Sequence, residues 1–230
     1  VWGRAALAEA RRFWRLYICG RGGVAEAERG KRKVHRVVTS DDASDAELER
    51  LCGSVEHQGI VAEVEPFGYA DSSQLLRHEN ALVLALDEVQ DPHNLGAACR
   101  VAEVAGASGV VICERRAAAI TPAVVKASAG ATEHLEIAHV GNLADWLELA
   151  RKQRAWIYGA AGDASQSIYQ VDWKGRAVVV MGSESTGLRK RGADNCDALV
   201  SIPSSGAVDS LNVSTAAAVI LFEAQRQRSA

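Results

Sequence analysis

From residue 81 onward, short runs of solidly apolar residues recur between longer stretches with one apolar side, and this alternation constrains the fold more than any other feature. The pattern predicts strands at 81–87, 109–113, 135–140, 155–159, 177–181 and 198–202. It predicts helices at 94–105, 122–131, 143–154 (entered through Asn142) and about 212–227. A half-exposed strand would alternate polar and apolar residues. The run Ala-Val-Val-Val-Met at 177–181 does not, so both of its faces must be covered. Such strands separated by helices imply an α/β fold: a parallel sheet with helices on both sides. In such a sheet the ligand site lies at the carboxyl ends of the strands, where loops lead into helices.

The preceding residues follow another pattern. A helix is expected at 5–14, strands at 15–19 and 35–39, a helix at 45–52, and an alternating strand at 59–64 that ends before Pro66. The stretch 67–80, FGYADSSQLLRHEN, is polar and aperiodic and reads as a linker. The chain therefore divides into a small α/β unit over 1–66, a linker over 67–80 and a larger domain over 81–230.

Several classes of function are excluded. The longest apolar runs, at 81–86 and 216–222, fall far short of the roughly 20 residues that a membrane-spanning helix needs. Arg4, Arg11 and Arg12 surround only a short apolar stretch, which does not resemble a signal peptide. The chain starts at Val1, so a trimmed start is expected. Five cysteines without a CxxC pair and six scattered histidines without HExxH favour neither disulfides nor a metal site, and fit a reducing, cytoplasm-like compartment. Neither GxGxxG nor GxxxxGK[ST] is present, so a dinucleotide-dependent oxidoreductase and a Walker loop are not indicated.

The net charge of −3 by itself argues against a dedicated nucleic-acid binder. The regional balance differs. Residues 1–36 carry ten basic and three acidic side chains, a net +7, while residues 37–66 carry one basic and eight acidic, a net −7. Either an ordinary solvated face or a phosphate-binding surface fits the basic stretch.

Three strand ends concentrate small and polar residues. The first holds Asp91-Pro92-His93-Asn94-Leu95-Gly96 and, within the helix, Arg100. There Asn94 can cap the helix, Gly96 permits close backbone approach, and Arg100 is otherwise a surface residue paired with Glu103 or Glu88. The second holds Met181-Gly182-Ser183-Glu184 with Gly187; Glu184 is otherwise a carboxylate favouring a helix N-terminus. The third holds Ile202-Pro203 and Ser210-Leu211-Asn212-Val213-Ser214, where Ser210 and Asn212 are otherwise helix caps.

In this order and together, the three segments resemble the three motifs of the SpoU/TrmH-type RNA 2′-O-ribose methyltransferases of the SPOUT superfamily. The resemblance spans essentially the whole chain. The segments LFEAQRQR at 221–228 and VEHQGIVAEV at 55–64 look especially like bacterial members that methylate a guanosine of 23S rRNA. One departure is Ser204, where relatives usually carry Met.

The resemblance implies an α/β sheet whose C-terminal segment threads a trefoil knot, preceded by a ribosomal-protein-like RNA-binding unit. It implies S-adenosylmethionine as cofactor, held against Gly182, Ile202 and Leu211, with Asn212, Ser214 and the Ala160–Gly162 loop nearby. It places Arg100, Glu184, Asn94, Ser210 and Asn212 in catalysis, with Arg100 on the substrate phosphate. It makes Arg11, Arg12, Arg15, Lys31, Arg32 and Lys33 candidates for RNA contact. Trp2 and Trp14 either stack on bases or belong to the core. The resemblance also implies a homodimer through the catalytic domain, partly through the apolar helix at 216–222, and no metal. tRNA, a different rRNA nucleotide, or a non-catalytic role in ribosome assembly are the alternatives. The intact Arg100, Glu184 and Ser210–Ser214 set favours catalysis.

Overall fold

The computed structural model of the chain describes residues 16–183, 187–206 and 210–229. The helix expected at 5–14, Trp2, Trp14, Arg11, Arg12, Arg15 and Glu184 lie outside those residues.

The N-terminal residues build β1 (Leu16–Cys19), α1 (Arg21–Arg29), β2 (Val34–Thr39), α2 (Asp45–Cys52) and β3 (Ile60–Val64). The three strands form an antiparallel sheet in the order β1-β3-β2. Helix α2 starts with a reciprocal cap between Ser44 and Glu47 and stops at Gly53, in the left-handed conformation at φ +68°. Helix α1 was not expected from the sequence. Its two glycines are poor helix formers and no side chain caps it, but Gly23, Val24 and Ala27 are buried against neighbouring elements. Tertiary burial outweighs propensity there.

The remaining elements are β4 (Leu82–Leu86), α3 (Pro92–Val104), β5 (Gly109–Cys113), α4 (Pro122–Ala127), β6 (Ile137–Val140), α5 (Leu143–Lys152), β7 (Trp156–Ala160), β8 (Gln166–Ser167), β9 (Ala177–Met181), α6 (Lys190–Asp194), β10 (Ala198–Ser201) and α7 (Val213–Arg228). Seven strands form one sheet, in the order β6-β5-β4-β9-β7-β10-β8, with every pairing parallel. Alternate residues of each central strand serve opposite layers. Leu82, Leu84 and Leu86 join the cluster that contains Ala98 of α3 and Ile220 of α7. Val83 and Ala85 join the cluster around Trp146 and Leu147 of α5. Both faces are covered, as the solid apolar runs require.

Three sequence expectations need correction. The first long helix begins at Pro92, not Asn94, because Asp91 caps it by accepting from the His93 amide at 3.0 Å and Pro92 takes the first helical position. The helix expected over 122–131 stops at Ala127, and a short 3-10 turn follows at Ala131–Glu133 after Gly130 (φ +86°). The segment 67–80 is also more than a polar connection. It carries a 3-10 turn at Ser72–Gln74, buries Leu75 and Leu76, and lays Tyr69 on the His139 ring at 3.6 Å between centroids. The amide of Ala70 donates to Ile137 O at 2.8 Å, so this segment straps the sheet edge.

The end of α7 supplies a test of how the helix is fastened. Glu223 accepts from Arg226 Nε and Nη2 and from Gln227 Nε2, each at 2.8 Å. Arg226, and then Gln227, hold its carboxyl down at about 2. A carboxylate depressed in the folded state stabilises the fold above its unfolded value and loses that contribution as pH falls through the folded one. Wild type should therefore be more heat-stable than Glu223→Gln near neutral pH. The gap in melting temperature should close between about pH 4.5 and about pH 2.

Candidate active site

The three motif-bearing strand ends meet. In register, Leu86 of β4 lies beside Met181 of β9, and the Asp87 amide donates to Met181 O at 2.8 Å. Gly159 of β7 lies beside Val180, and Ala160 lies beside Val200 of β10. A cavity of about 390 Å³ opens at these ends, roofed by the start of α7. Of the residues expected to hold a cofactor, Gly182, Ile202, Leu211, Ala160 and Gly162 line it, as does Ser210. Met181, Val200, Val213 and Ile220 complete its apolar wall. Met181 and Val213 belong to the motifs, whereas Val200 and Ile220 are indistinguishable in sequence from other core residues.

Gly182 is fixed by a close crossing of the chain on itself. A Cβ at Gly182 would lie 2.0 Å from the carbonyl carbon of Gly187 and 2.2 Å from the Leu188 nitrogen. Gly187 itself is left-handed, at φ +62°, and its amide donates to Ser183 O at 2.9 Å. Gly96 has a comparable steric reason of another kind: its Cβ would meet the Ala127 Cβ at 2.5 Å, so α3 approaches α4 there rather than a ligand.

Asn212 unites the two readings made of it. Its Oδ1 caps α7, accepting from the Ser214 amide at 2.9 Å and from Ser214 Oγ at 2.6 Å, while its Nδ2 donates to Asn94 Oδ1 at 2.8 Å. Motifs one and three are therefore bonded directly across 118 residues of sequence. Leu211 and Val213 line the cavity, whereas Asn212 and Ser214 are off its wall. Arg100 lies on α3, exposed and off the cavity wall. Among the described residues it has no ion pair. Glu88 is taken instead by Arg189 Nη1 at 2.9 Å and Arg116 Nη1 at 3.5 Å.

Two residues without an expected role stand at the same rim. Asp87 is buried, and Arg189 donates to it through Nη2 at 3.0 Å and Nε at 3.4 Å. The bond to Asp87 raises the Arg189 guanidinium above its ordinary value. A carboxylate that closes a solid apolar strand is a visible signal of something held there, but a partner 102 positions away is not legible in sequence.

The basic candidates divide. Lys33 is exposed, and Lys31 is exposed but paired with Glu136. Arg32 is not a surface cation. Its side chain is 4% exposed, with Nη2 3.0 Å from Glu133 Oε1 and the guanidinium 5.1 Å from the Phe67 ring centre. Folding places it in the joint between the two sheets, against Glu133 and Phe67. No group of three or more His, Cys, Asp or Glu suited to a metal ion occurs among the described residues. No helix there is long and apolar enough to cross a membrane. All five cysteines are free.

Comparison with known proteins agrees with this geometry. The model of the SpoU rRNA methylase family matches residues 81–222. A second model, for the substrate-binding region of RNA 2′-O ribose methyltransferases, matches residues 24–70. Over 198 residues, 84% of this chain and 79% of the relative, the chain is 43% identical to the 23S rRNA (guanosine-2′-O-)-methyltransferase RlmB of Pseudomonas syringae pv. tomato. It is 46% identical to the protein of that name from Pseudomonas putida over 75% of this chain and 71% of the relative. The AdoMet-bound rRNA methyltransferase structure from Sinorhizobium meliloti superposes with a TM-score of 0.79 at 26% identity, covering 94% of this chain and 88% of that one. Motif content, sheet order and sequence identity agree, and the chain belongs to the SpoU rRNA methylase family.

Proposed function

We propose that this protein transfers a methyl group from S-adenosylmethionine to the ribose 2′-hydroxyl of a guanosine in 23S rRNA. The observation that carries the reading is the convergence of Gly182 of the second motif with Ile202 and Ser210 of the third on one apolar cavity, with Asn94 of the first bonded to Asn212 at its edge. The cavity fits the cofactor. Its volume of about 390 Å³ lies in the range of small-molecule sites, its walls are apolar, and Gly182 and Ser183 bring main chain to it. An adenine suits such a slot, with its polar edge met by backbone groups. When bound, S-adenosylmethionine supplies an electrophilic methyl group on a sulfonium.

The chain's own residues prepare the nucleophile. A protonated ribose hydroxyl attacks poorly, so the site must ease removal of its proton and hold the oxygen in line. Arg100 binds the phosphate of the target nucleotide and lowers the cost of the developing alkoxide. Glu184 orients Arg100 or the ribose, Asn94 positions the substrate, and Ser210 with Asn212 completes the site.

Other parts of the reading rest on narrower support. The family match over 81–222 supports a C-terminal trefoil knot. The substrate-binding match over 24–70 supports a division into an RNA-binding unit at 1–66, a connecting segment at 67–80 and a catalytic domain at 81–230. Lys31 and Lys33, with Arg11, Arg12 and Arg15, make phosphate contacts. Exposed Val104 on α3 and Phe222 on α7, two helices packed on one another, support a homodimer through this face. The setting is cytoplasmic.

Mapping of 2′-O-methyl groups in RNA from a strain lacking the protein tests the function. One 23S guanosine should lose its mark and regain it with purified protein and S-adenosylmethionine. Restoration only on tRNA or another rRNA nucleotide overturns the substrate. RNA binding without any methyl transfer overturns the activity.

A further inference from the structure

Two charged residues that the activity does not use fasten the strand ends around the cavity. Asp87 follows β4 directly, and its side chain is 4% exposed. It accepts Arg189 Nη2 at 3.0 Å and Nε at 3.4 Å, and the remaining guanidinium nitrogen reaches Glu88 Oε1 at 2.9 Å. Glu88 and its second partner Arg116 are both left-handed, at φ +59° and +56°. Non-glycine residues adopt that conformation at a cost, and such positions concentrate at functional sites.

The geometry gives this ion cluster a specific task. The loop from Gly182 to Arg189 begins at Met181, which is paired with Leu86 and bonded to the Asp87 amide. The same loop ends at Arg189, which returns to the Asp87 carboxylate. Both ends are thus tied to two consecutive residues of one strand end. Between them Gly182 packs on the backbone of 187–188, and Gly182, Ser183 and Gly187 form one wall of the cavity. One guanidinium closes the circuit. A planar fork with fixed donors suits that task, because it meets two carboxylates at once and stays charged; an ammonium is a point charge.

We propose that Arg189 and Asp87 form a clasp that holds Gly182, Ser183 and Gly187 in the cavity wall that accepts S-adenosylmethionine, with Arg189 as a positioning residue. The inference rests on the cofactor reading of the cavity. Arg189 touches no reacting atom, so its loss acts on cofactor affinity before it acts on RNA binding.

The test is calorimetric titration of S-adenosylmethionine into the full chain, alongside thermal melts of the cofactor-free protein. Arg189→Ala should weaken cofactor binding at least about tenfold, and Arg189→Lys by less, while KM for RNA stays within about twofold. Asp87→Asn combined with Arg189→Ala should be no weaker than Arg189→Ala alone, since both act through one contact. Wild-type cofactor affinity in Arg189→Ala overturns the clasp, as does a loss in the double variant equal to the sum of the singles. Should Arg189→Ala fail to fold, Arg189→Lys keeps a positive charge beside Asp87 and decides the matter: wild-type affinity there overturns the clasp. Failure of the wild type itself to bind S-adenosylmethionine overturns the function on which the clasp rests, and is distinguished from the other outcomes by that first titration.

Discussion

Arg100→Ala protein is expected to fold, to bind S-adenosylmethionine as tightly as the wild type, and to lose methyl transfer by about 10²–10³-fold. That is the usual consequence of removing one preorganised charge aimed at a developing anion. The expectation follows from where the side chain stands. Arg100 is exposed on α3 and off the cavity wall, so cofactor binding does not depend on it. Among the described residues it has no carboxylate partner, which leaves its charge for a phosphate. A guanidinium remains protonated at all working pH values, so it helps by lowering the energy of the alkoxide more readily than by accepting the proton. Single-turnover methylation of 23S rRNA with saturating cofactor measures the loss directly. A variant that binds cofactor and methylates at the wild-type rate would remove Arg100 from the reaction.

The second large effect lies in the joint between the two sheets. Glu133→Ala is expected to destabilise the protein by about 3–5 kcal/mol, because it strands a buried guanidinium without its counter-charge. The Glu133 side chain is 1% exposed and that of Arg32 is 4% exposed, and burial pushes the Glu133 carboxyl up against the opposing pull of Arg32. Replacing both residues by apolar ones of similar size should cost far less and can even stabilise, since it removes two desolvated charges together. Urea titrations of Glu133→Ala and of the Arg32→Met/Glu133→Leu double variant separate the cases. The double variant should also bind RNA with unchanged affinity, because Arg32 faces Glu133 and Phe67. Reduced affinity there would return Arg32 to the RNA surface.

Arg32 also marks the limit of reading charge from sequence. The stretch Lys31-Arg32-Lys33 is a uniform basic run on paper, yet its middle member is internal and its flanking lysines are exposed. The three residues lie in the bend between α1 and β2, where the path of the chain, not the composition of the run, decides which members reach solvent. The segment 67–80 misled for a related reason. Its apolar residues, Phe67, Tyr69, Leu75 and Leu76, have no helical or strand period, because they are spaced to meet the edge of an existing sheet.

The active site was more legible. Asp91-Pro92, Asn94, Gly182, Ile202 and Ser210–Ser214 could be singled out because loops that bend tightly, cap helices or admit a ligand need those residue types. Their meeting at one cavity follows from parallel strands, which deliver every carboxyl end to the same side of the sheet. The clasp of Asp87 and Arg189 was not legible, although both residues flank the motifs.

Sequence alone determined the parallel α/β sheet covered on both faces, most strand positions, and the three motifs with their family. These depend on local periodicity and residue chemistry, which a linear pattern records. Only the tertiary structure decided which polar residues face one another: Asn94 with Asn212, Asp87 with Arg189, and Arg32 with Glu133. Each of these pairs spans about a hundred residues of chain, and partnership at that range is set by strand order and helix packing.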